Sequence, residues 1–298
     1  MGPTASGKTG IAVDLVQHAP FEIISVDSAQ VYRGMDIGSG KPSADILAKA
    51  PHRLINIRDP LDTYSAADFR SDALKEIVDI QTQGKIPLLV GGTMLYFKAL
   101  RDGLVTMPSA NEEVRNKILE LANRSGWQAV HDRLAVVDPD AAARIHPNDT
   151  QRLQRALEIY ELSGKPMTKI HKEGKQQADL PFDLKFIALI PPQRSTLHEK
   201  IAQRFHQMLE QGFVDEVRKL HVRGDLNPSL PAIRSVGYRQ IWTFLEGAYD
   251  QQTMQEKVLA ATRQLAKRQL TWLRSWPDLQ IIDSEMPKIN EHCLKLMV

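Results

Sequence analysis

The chain has 298 residues, 42% of them hydrophobic and 25% charged, which supplies enough apolar material for one large domain or two modest ones. A formal net charge of +2 excludes a globally basic nucleic-acid binder, so any basic surface must be local. The single cysteine, Cys293, excludes an internal disulfide, and with no Cys/His metal pattern, secretory segment or bilayer-length apolar run, a soluble cytoplasmic protein is expected. Only Met1 precedes the glycine-rich stretch GPTASGKT, although such a loop normally follows a buried strand, so the start reads as truncated. Behind the loop, Ile11, Ala12, Leu15 and Val16 recur at helical spacing. FEIISV (21–26) reads as a buried strand and RLINI (53–57) as a weaker one. From Ser65 an S-x-x-D cap opens a helix with Phe69, Ala73 and Ile77 on one face and Gly84 as its stop. IPLLV (86–90) follows as a strand ending in GGT.

Strands alternating with helices predict an α/β fold, a phosphate-loop NTPase-like parallel sheet flanked by helices, with ligands at the carboxyl ends of the strands. Near Met107 the character changes. Ser109 and Glu112 form a capping-box pattern, and helical periodicity continues to about His171 without a convincing strand. KEGKQQADLP is a polar connector, LKFIALIPP (184–192) a strand rejoining the sheet, and LQIID (279–283) a last short strand. Helices span Ser195 to Leu220 and about 251–275. The simplest organisation is a core of 1–106 and 179–298 interrupted by an all-helical insertion, 107–178.

GPTASGKT fits G-x-x-x-x-G-K-[ST] in full, through Gly2, Pro3, Thr4, Ala5, Ser6, Gly7, Lys8 and Thr9. Backbone N–H groups of such a loop cradle phosphate oxygens, the lysine adds a compact positive charge, and the threonine hydroxyl can ligate Mg2+. Any diphosphate satisfies this chemistry, so the motif, although shared with ATP-binding proteins, does not name its ligand. Asp27 ends one apolar strand, where it could serve as a general base, a metal ligand or simply a turn cap. Thr93 follows two glycines and could orient Asp27, contact a substrate, or cap the next helix.

Three segments carry local basic character. On the long helix, Val258, Leu265, Leu273 and Trp276 share one side, while Arg263, Lys267 and Arg274, flanked by Lys257 and Arg268, share the other. In NDTQRLQRALEIYEL, Leu153, Ala156, Leu157 and Tyr160 point inward and leave Gln151, Arg152 and Arg155 outside. AIRSVGYRQIW places Arg234 and Arg239 around a glycine and Tyr238, a mixture suited to phosphate contact and base stacking, or to an ordinary loop-to-helix junction. Each stripe also reads as a solvated face. His146 and His206 lack a second ligand at plausible spacing, and Trp242, Trp272 and Trp276 read as core and interface residues.

The ordered set GPTASGKT, ISVDSAQVYRGMDIGSGKP, LLVGGTMLYFKAL, RIHPNDTQRLQRALE, VGYRQIW and TRQLAKRQLTWLR closely resembles the bacterial tRNA dimethylallyltransferases, the tRNA isopentenyltransferase family, over essentially the whole chain. Family members usually carry a strand ahead of the loop, and the chain lacks the zinc-finger extension of eukaryotic members. The resemblance implies transfer of a dimethylallyl group from dimethylallyl diphosphate to the exocyclic amine of the adenosine just 3′ of the anticodon, by a monomer in the cytoplasm. It implies Asp27 as base, Thr93 as its support, and the Gly2–Thr9 loop with Mg2+ on Thr9, helped by Arg204, as the diphosphate site. It further implies tRNA contacts at Asp27, Ser28, Ala29, Gln30, Thr93 and Arg115, and at Gln151, Arg152, Leu153, Gln154 and Arg155. The remaining contacts fall on Arg234, Ser235, Val236, Gly237, Tyr238 and Arg239, and on Lys267, Arg268, Gln269, Leu270, Thr271, Trp272, Leu273 and Arg274. A prenyltransferase of free adenylate, a small-molecule kinase and an RNA-binding NTPase without transfer chemistry are the alternatives.

Overall fold

Apolar runs without alternation, such as FEIISV, suit strands covered on both faces, and the main sheet is built from them. In the computed structural model, which describes residues 1–174 and 180–297, α1 (Lys8–His18) leads into β1 (Phe21–Val26). Then come α2 (Ala44–Lys49), β2 (His52–Arg53), α3 (Ala66–Thr82), β3 (Ile86–Gly91) and α4 (Met94–Asp102). The sheet order is β2-β1-β3, all parallel, with Phe21 opposite Ile86 and Val26 opposite Gly91. β1 is buried along almost its whole length, and Ile23, Ile24 and Val26 are inaccessible to solvent. α3 starts at a reciprocal capping box between Ser65 and Asp68 and is followed by Gly84 at a φ of 71°. Its Phe69 stacks on Tyr96 of α4, ring centroids 4.5 Å apart.

The RLINI strand is shorter than its composition suggests. Pairing stops at Arg53 because Leu54 and Asn56 adopt positive φ angles of 61° and 56°, which a β-ladder cannot contain.

The chain divides into two compact units, Met1–Arg101 with Leu180–Val298, and Asp102–Asp179. The connector KEGKQQADLP and the boundary expected at 178 fall partly or wholly on 175–179, outside the described residues. In the second unit the described elements are all helices: α5 (Glu112–Val137), α6 (Pro139–Ala142), α7 (Thr150–Ser163) and α8 (Met167–Glu173). α5 opens one residue before the predicted acid, on Asn111, whose side chain accepts from Val114 N, rather than on Ser109. Gly126, at φ 80° and ψ 163°, breaks its helical path. Ile118, Val130, Leu134, Leu153 and Leu157 form the core of this unit. The buried Asp138 carboxylate ties α6 to α8, accepting from Ala141 N at 3.0 Å, Thr168 N at 3.0 Å and Thr168 Oγ1 at 2.6 Å.

The first unit resumes with β4 (Phe186–Ile190), α9 (Arg194–Glu210), α10 (Phe213–His221), α11 (Tyr238–Leu245), α12 (Gln251–Arg274), β5 (Leu279–Asp283) and α13 (Ile289–Met297). β4 and β5 pair in parallel as a second sheet, so the strand within LKFIALIPP takes β5 as its ladder partner and does not rejoin β2-β1-β3 as expected. Met1 lies beside β4 as a one-residue parallel bridge: its ammonium donates to Ile187 O at 2.6 Å and its carbonyl accepts from Leu189 N at 2.9 Å. Leu88 and Val90 of β3, Ile187 and Leu189 of β4, and Leu15 of α1 line an apolar cavity of about 310 Å3. Among the described residues no helix is long and apolar enough to cross a membrane.

Replacing Leu153, wholly buried in the helical unit, with Ala should cost about 2–5 kcal/mol. Val136→Ala, at a position 83% exposed, should stay within about 0.5 kcal/mol of the parent. Urea unfolding of the full chain checks both.

Candidate active site

The phosphate loop closes at Gly7, whose φ of 84° is a left-handed conformation that a side chain resists, and which serves as the N-cap of α1. The first amides of α1 therefore open toward the loop's concave side, where an anion satisfies them. Lys8 Nζ folds back onto the loop, donating to Pro3 O at 2.6 Å and Ser6 Oγ at 3.5 Å. Burial and, to a smaller extent, the Arg204 guanidinium lower its pKa to about 7, with the Asp27 carboxylate opposing both. Arg204 is shifted in the same direction, again by burial and again opposed by Asp27. Lys8, Arg204 and Asp27 thus share one electrostatic neighbourhood, with two cations held together before any anion arrives. Arg204 lies against Gly40, at φ 62°, where a Cβ would overlap Nη2 of the guanidinium.

Asp27 leaves the carboxyl end of β1. Its Oδ1 accepts from Ala29 N at 2.8 Å and Gln30 N at 3.3 Å, so the turn-capping role exists and occupies one carboxylate oxygen. Oδ2 takes no hydrogen bond from the described residues and remains available for chemistry. Thr93 N donates to Val26 O at 3.2 Å, and Thr93 Oγ1 accepts from Ser28 N at 3.0 Å, 3.4 Å from Ser28 Oγ. The hydroxyl is directed to the Asp27 turn. Gln30 accepts from Ser25 Oγ at 2.9 Å and donates to Gly40 O at 3.3 Å, which joins that turn to the segment against Arg204.

Glu216 belongs to this frame, although no local pattern in the chain singles it out. Its carboxylate accepts from three successive amides, Asp36 N at 2.9 Å, Ile37 N at 2.7 Å and Gly38 N at 3.1 Å, and from Tyr238 Oη at 2.6 Å. Tyr238 Oη in turn accepts from Ser39 N at 3.1 Å. The nearest sequence signal was the unusual density of glycine around Met35–Gly40, which marks a tight loop but not the acid that binds it. Tyr238 is therefore no base-stacking platform. It is fully buried, edge-on to Phe213 at 5.1 Å, and its hydroxyl is pushed well above the usual phenol range by burial and by Glu216. Gly237 is likewise buried, Ser235 and Val236 are half-buried, and Arg234 and Arg239 are exposed.

On α12 the predicted faces appear as two sides. Val258, Leu273 and Trp276 are buried and Leu265 half-buried, while Lys257, Arg263, Lys267, Arg268, Thr271 and Arg274 are exposed. Gln269 lies inside, 8% exposed, and Leu273 also faces the core, whereas Leu270 and Trp272 are half-buried. In the helical unit, Gln151 and Arg152 are exposed, Leu153 is core, and Gln154 Nε2 donates to Arg115 O at 3.4 Å. Glu158, wholly buried, accepts from Arg115 Nε at 2.8 Å, Arg155 Nη1 at 2.7 Å and Asn111 N at 2.8 Å. These bonds and the nearby guanidinium charge outweigh the effect of burial and keep Glu158 ionised below the usual carboxylate range. Both arginines keep part of their surface open. His146 and His206 are exposed, and no group of three His, Cys, Asp or Glu residues suited to a metal occurs among the described residues.

The family model for IPP transferase matches residues 30–276. The tRNA dimethylallyltransferase of Thioalkalivibrio sulfidiphilus (strain HL-EbGR7) is 60% identical over 285 residues, which is 96% of this chain and 89% of that protein. Among solved structures, the tRNA isopentenylpyrophosphate transferase of Bacillus halodurans superposes with a TM-score of 0.72 at 36% identity, over 99% of this chain and 93% of that one. A eukaryotic dimethylallyltransferase captured acting on tRNA superposes with a TM-score of 0.78 at 29% identity, over 95% of this chain and 72% of that one. With a phosphate loop, a strand-end carboxylate and two cations gathered in the first unit, and with similarity running nearly the length of the chain, this protein belongs to the IPP transferase family.

Proposed function

We infer that the protein is a tRNA dimethylallyltransferase, which moves the dimethylallyl group of dimethylallyl diphosphate to the exocyclic amino nitrogen of the adenosine just 3′ of the anticodon. The observation that carries this reading is the juxtaposition of Lys8, Arg204 and Asp27 at the phosphate loop and the β1 end, where the Arg204 and Asp27 charges both act on Lys8 and the Asp27 charge acts on Arg204. Two crowded cations favour a multiply charged leaving group, and a carboxylate beside them supplies the base that phosphate release alone does not need.

The adenine amine is a weak nucleophile because its lone pair is delocalised into the ring. As the new C–N bond forms, the C–O bond to diphosphate breaks, its electron pair leaves with the diphosphate, and the amine proton passes to Asp27 Oδ2. The two amides on Oδ1 hold the carboxylate in orientation. Amides at the α1 N-terminus, Lys8 and Arg204 stabilise the charge developing on the departing oxygens. An adenine stacked in an anticodon loop cannot reach a carboxylate at a strand end, so the base leaves its stack to react. Thr93, next to Asp27 through Ser28, is placed to receive it. Lys267, Arg268 and Arg274 on α12, and Arg152 and the partly exposed Arg115 and Arg155 of the helical unit, supply phosphate contacts.

The residues present fit magnesium: Thr9 offers one hydroxyl at the start of α1, and a cation that keeps most of its shell as water and diphosphate oxygens needs few protein ligands. When bound there it would neutralise part of the diphosphate charge.

Asp27→Ala should lower transfer to tRNA by at least about 100-fold while leaving tRNA binding within about twofold, since the carboxylate handles a proton. Mass gain of unmodified tRNA and a gel shift on one preparation check this, with AMP in a parallel reaction to test the free-nucleotide alternative. Near-parental transfer would remove the base assignment.

Because free Lys8 titrates near pH 7 and an anion favours its ammonium form, diphosphate binding above pH 7 should take up a proton and weaken as pH rises. Calorimetry at pH 8 in two buffers of different ionisation enthalpy measures the uptake, which should vanish in Lys8→Arg.

Lys267→Ala should weaken tRNA binding and reduce the slope of log K against log salt by about one unit. An unchanged slope would return this lysine to the solvated face.

A further inference from the structure

We propose that Gln269 is a positioning residue for the transfer reaction: its side-chain amide holds the diphosphate loop and the Thr93 turn in register, so that leaving group and acceptor base meet at a fixed separation. The proposal rests on the reading of Thr93 and the Gly2–Thr9 loop given above, and it assigns Gln269 a role other than RNA contact. At 8% exposure its amide is not on the surface where Lys267 and Arg268 stand. Gln269 Oε1 accepts from Thr4 N at 2.8 Å, and Gln269 Nε2 donates to Gly92 O at 2.9 Å.

The orientation of the amide is fixed by its partners. Thr4 N can only donate and Gly92 O can only accept, so the oxygen must face the loop and the nitrogen the turn. A primary amide supplies both functions across this span at every pH, without having to take up a proton first. Glu would place an anion against the Gly92 carbonyl, and Leu or Met would leave two polar backbone groups unsatisfied.

The turn is shaped to receive the amide. A Cβ at Gly92 would collide with Gln269 Nε2, and its next nearest neighbour would be Gly2 O at 3.3 Å. Gly91, beside it, has no room for a Cβ against the Val26 backbone. From Gly92 the chain passes directly to Thr93, whose hydroxyl meets Ser28, the neighbour of Asp27. One bonded path therefore runs from Thr4 through Gln269, Gly92, Thr93 and Ser28 to the base. Gln269 is the member of that path contributed by α12, the helix whose outer face carries Lys267, Arg268 and Arg274.

Displacing a reacting group by about 1 Å is enough to cost on the order of 100-fold in rate. Breaking this path should accordingly act on kcat and leave RNA affinity alone. The experiment measures transfer to unmodified tRNA, tRNA affinity and inorganic diphosphate affinity for Gln269→Ala, Gln269→Glu, Gly92→Ala and the double variant Gln269→Ala/Gly92→Ala, with thermal melting of each. Each single variant should lose at least tenfold in kcat with tRNA Kd within twofold. The double variant should be no worse than the more impaired single, because both remove the same contact. For Gln269→Glu, the ratio of its kcat to that of the parent should rise as pH falls from 8 to 5.5, since only the protonated acid can donate to Gly92 O.

Additive losses in the double variant, a pH-independent ratio for Gln269→Glu, or a loss of tRNA affinity at unchanged kcat would each overturn the proposal. If Gln269→Ala does not fold, the pH profile of Gln269→Glu decides alone. Failure of the underlying functional reading would look different, because the parent protein itself would then transfer nothing to tRNA.

Discussion

The parallel pairing of β1 with β3 is the constraint on which the site depends. Val26 and Gly91 stand opposite one another at the last rung, so the residues that follow, Asp27 and Thr93, leave the sheet at the same end. Gly91 has no space for a side chain against the Val26 backbone, which makes the close approach of the two strand ends a property of sequence as well as register. Once the ends are together, the Thr93 hydroxyl reaches Ser28, and the Asp27 carboxylate is left with one oxygen engaged and one available. A slip of one residue in this ladder would turn every β1 side chain to the other face of the sheet and separate the pair.

Around this frame the protein accumulates positive charge at a cost. Lys8 and Arg204 are partly buried and repel one another, and Asp27 offsets the repulsion only in part. Lys8 settles onto Pro3 O and Ser6 Oγ, a resting position that hydrogen-bonds the amine without requiring a full charge. The diphosphate of the proposed reaction would replace these internal partners with formal negative charge and make the same crowding favourable. Under the proposed function, this crowding would complement the charge that grows on the leaving group as the C–O bond breaks, rather than a neutral ligand.

Buried carboxylates do the positioning at a distance from the chemistry. Glu216 gathers three consecutive amides of the 36–38 segment and the Tyr238 hydroxyl, so the segment just ahead of Gly40 is held by three hydrogen bonds to one side chain, which a fourth ties to Tyr238. In the helical unit Glu158 does the equivalent for Arg115 and Arg155, fixing the inner edge of each guanidinium while leaving part of it open. Both are charged-group hydrogen bonds in sheltered surroundings, where they are stronger and more directional than at the surface. The wholly apolar residues inside the same motifs, Leu153 and Leu273, give these segments their cores.

Much of the architecture was legible because it follows from local rules. β1 and β5 coincide with FEIISV and LQIID, the capping box at Ser65 and Asp68 forms as its spacing requires, and α12 presents the basic and apolar faces that its periodicity implies. The phosphate loop declared itself through glycine spacing, since backbone conformation near an anion leaves little choice of residue. What failed to be read locally failed for physical reasons. Two positive φ angles, at Leu54 and Asn56, cut a strand whose composition was adequate, and Tyr238 and Gln269 look like surface recognition residues until their burial is known. Glu216 is separated by about 180 residues from the amides it binds. Sequence alone determined which chemical groups this protein possesses and the order in which they occur, because motif spacing and helical period act over a few residues. Only the tertiary structure decided which of those groups meet and which are sealed away, because burial and hydrogen bonding between distant segments depend on packing that no short stretch encodes.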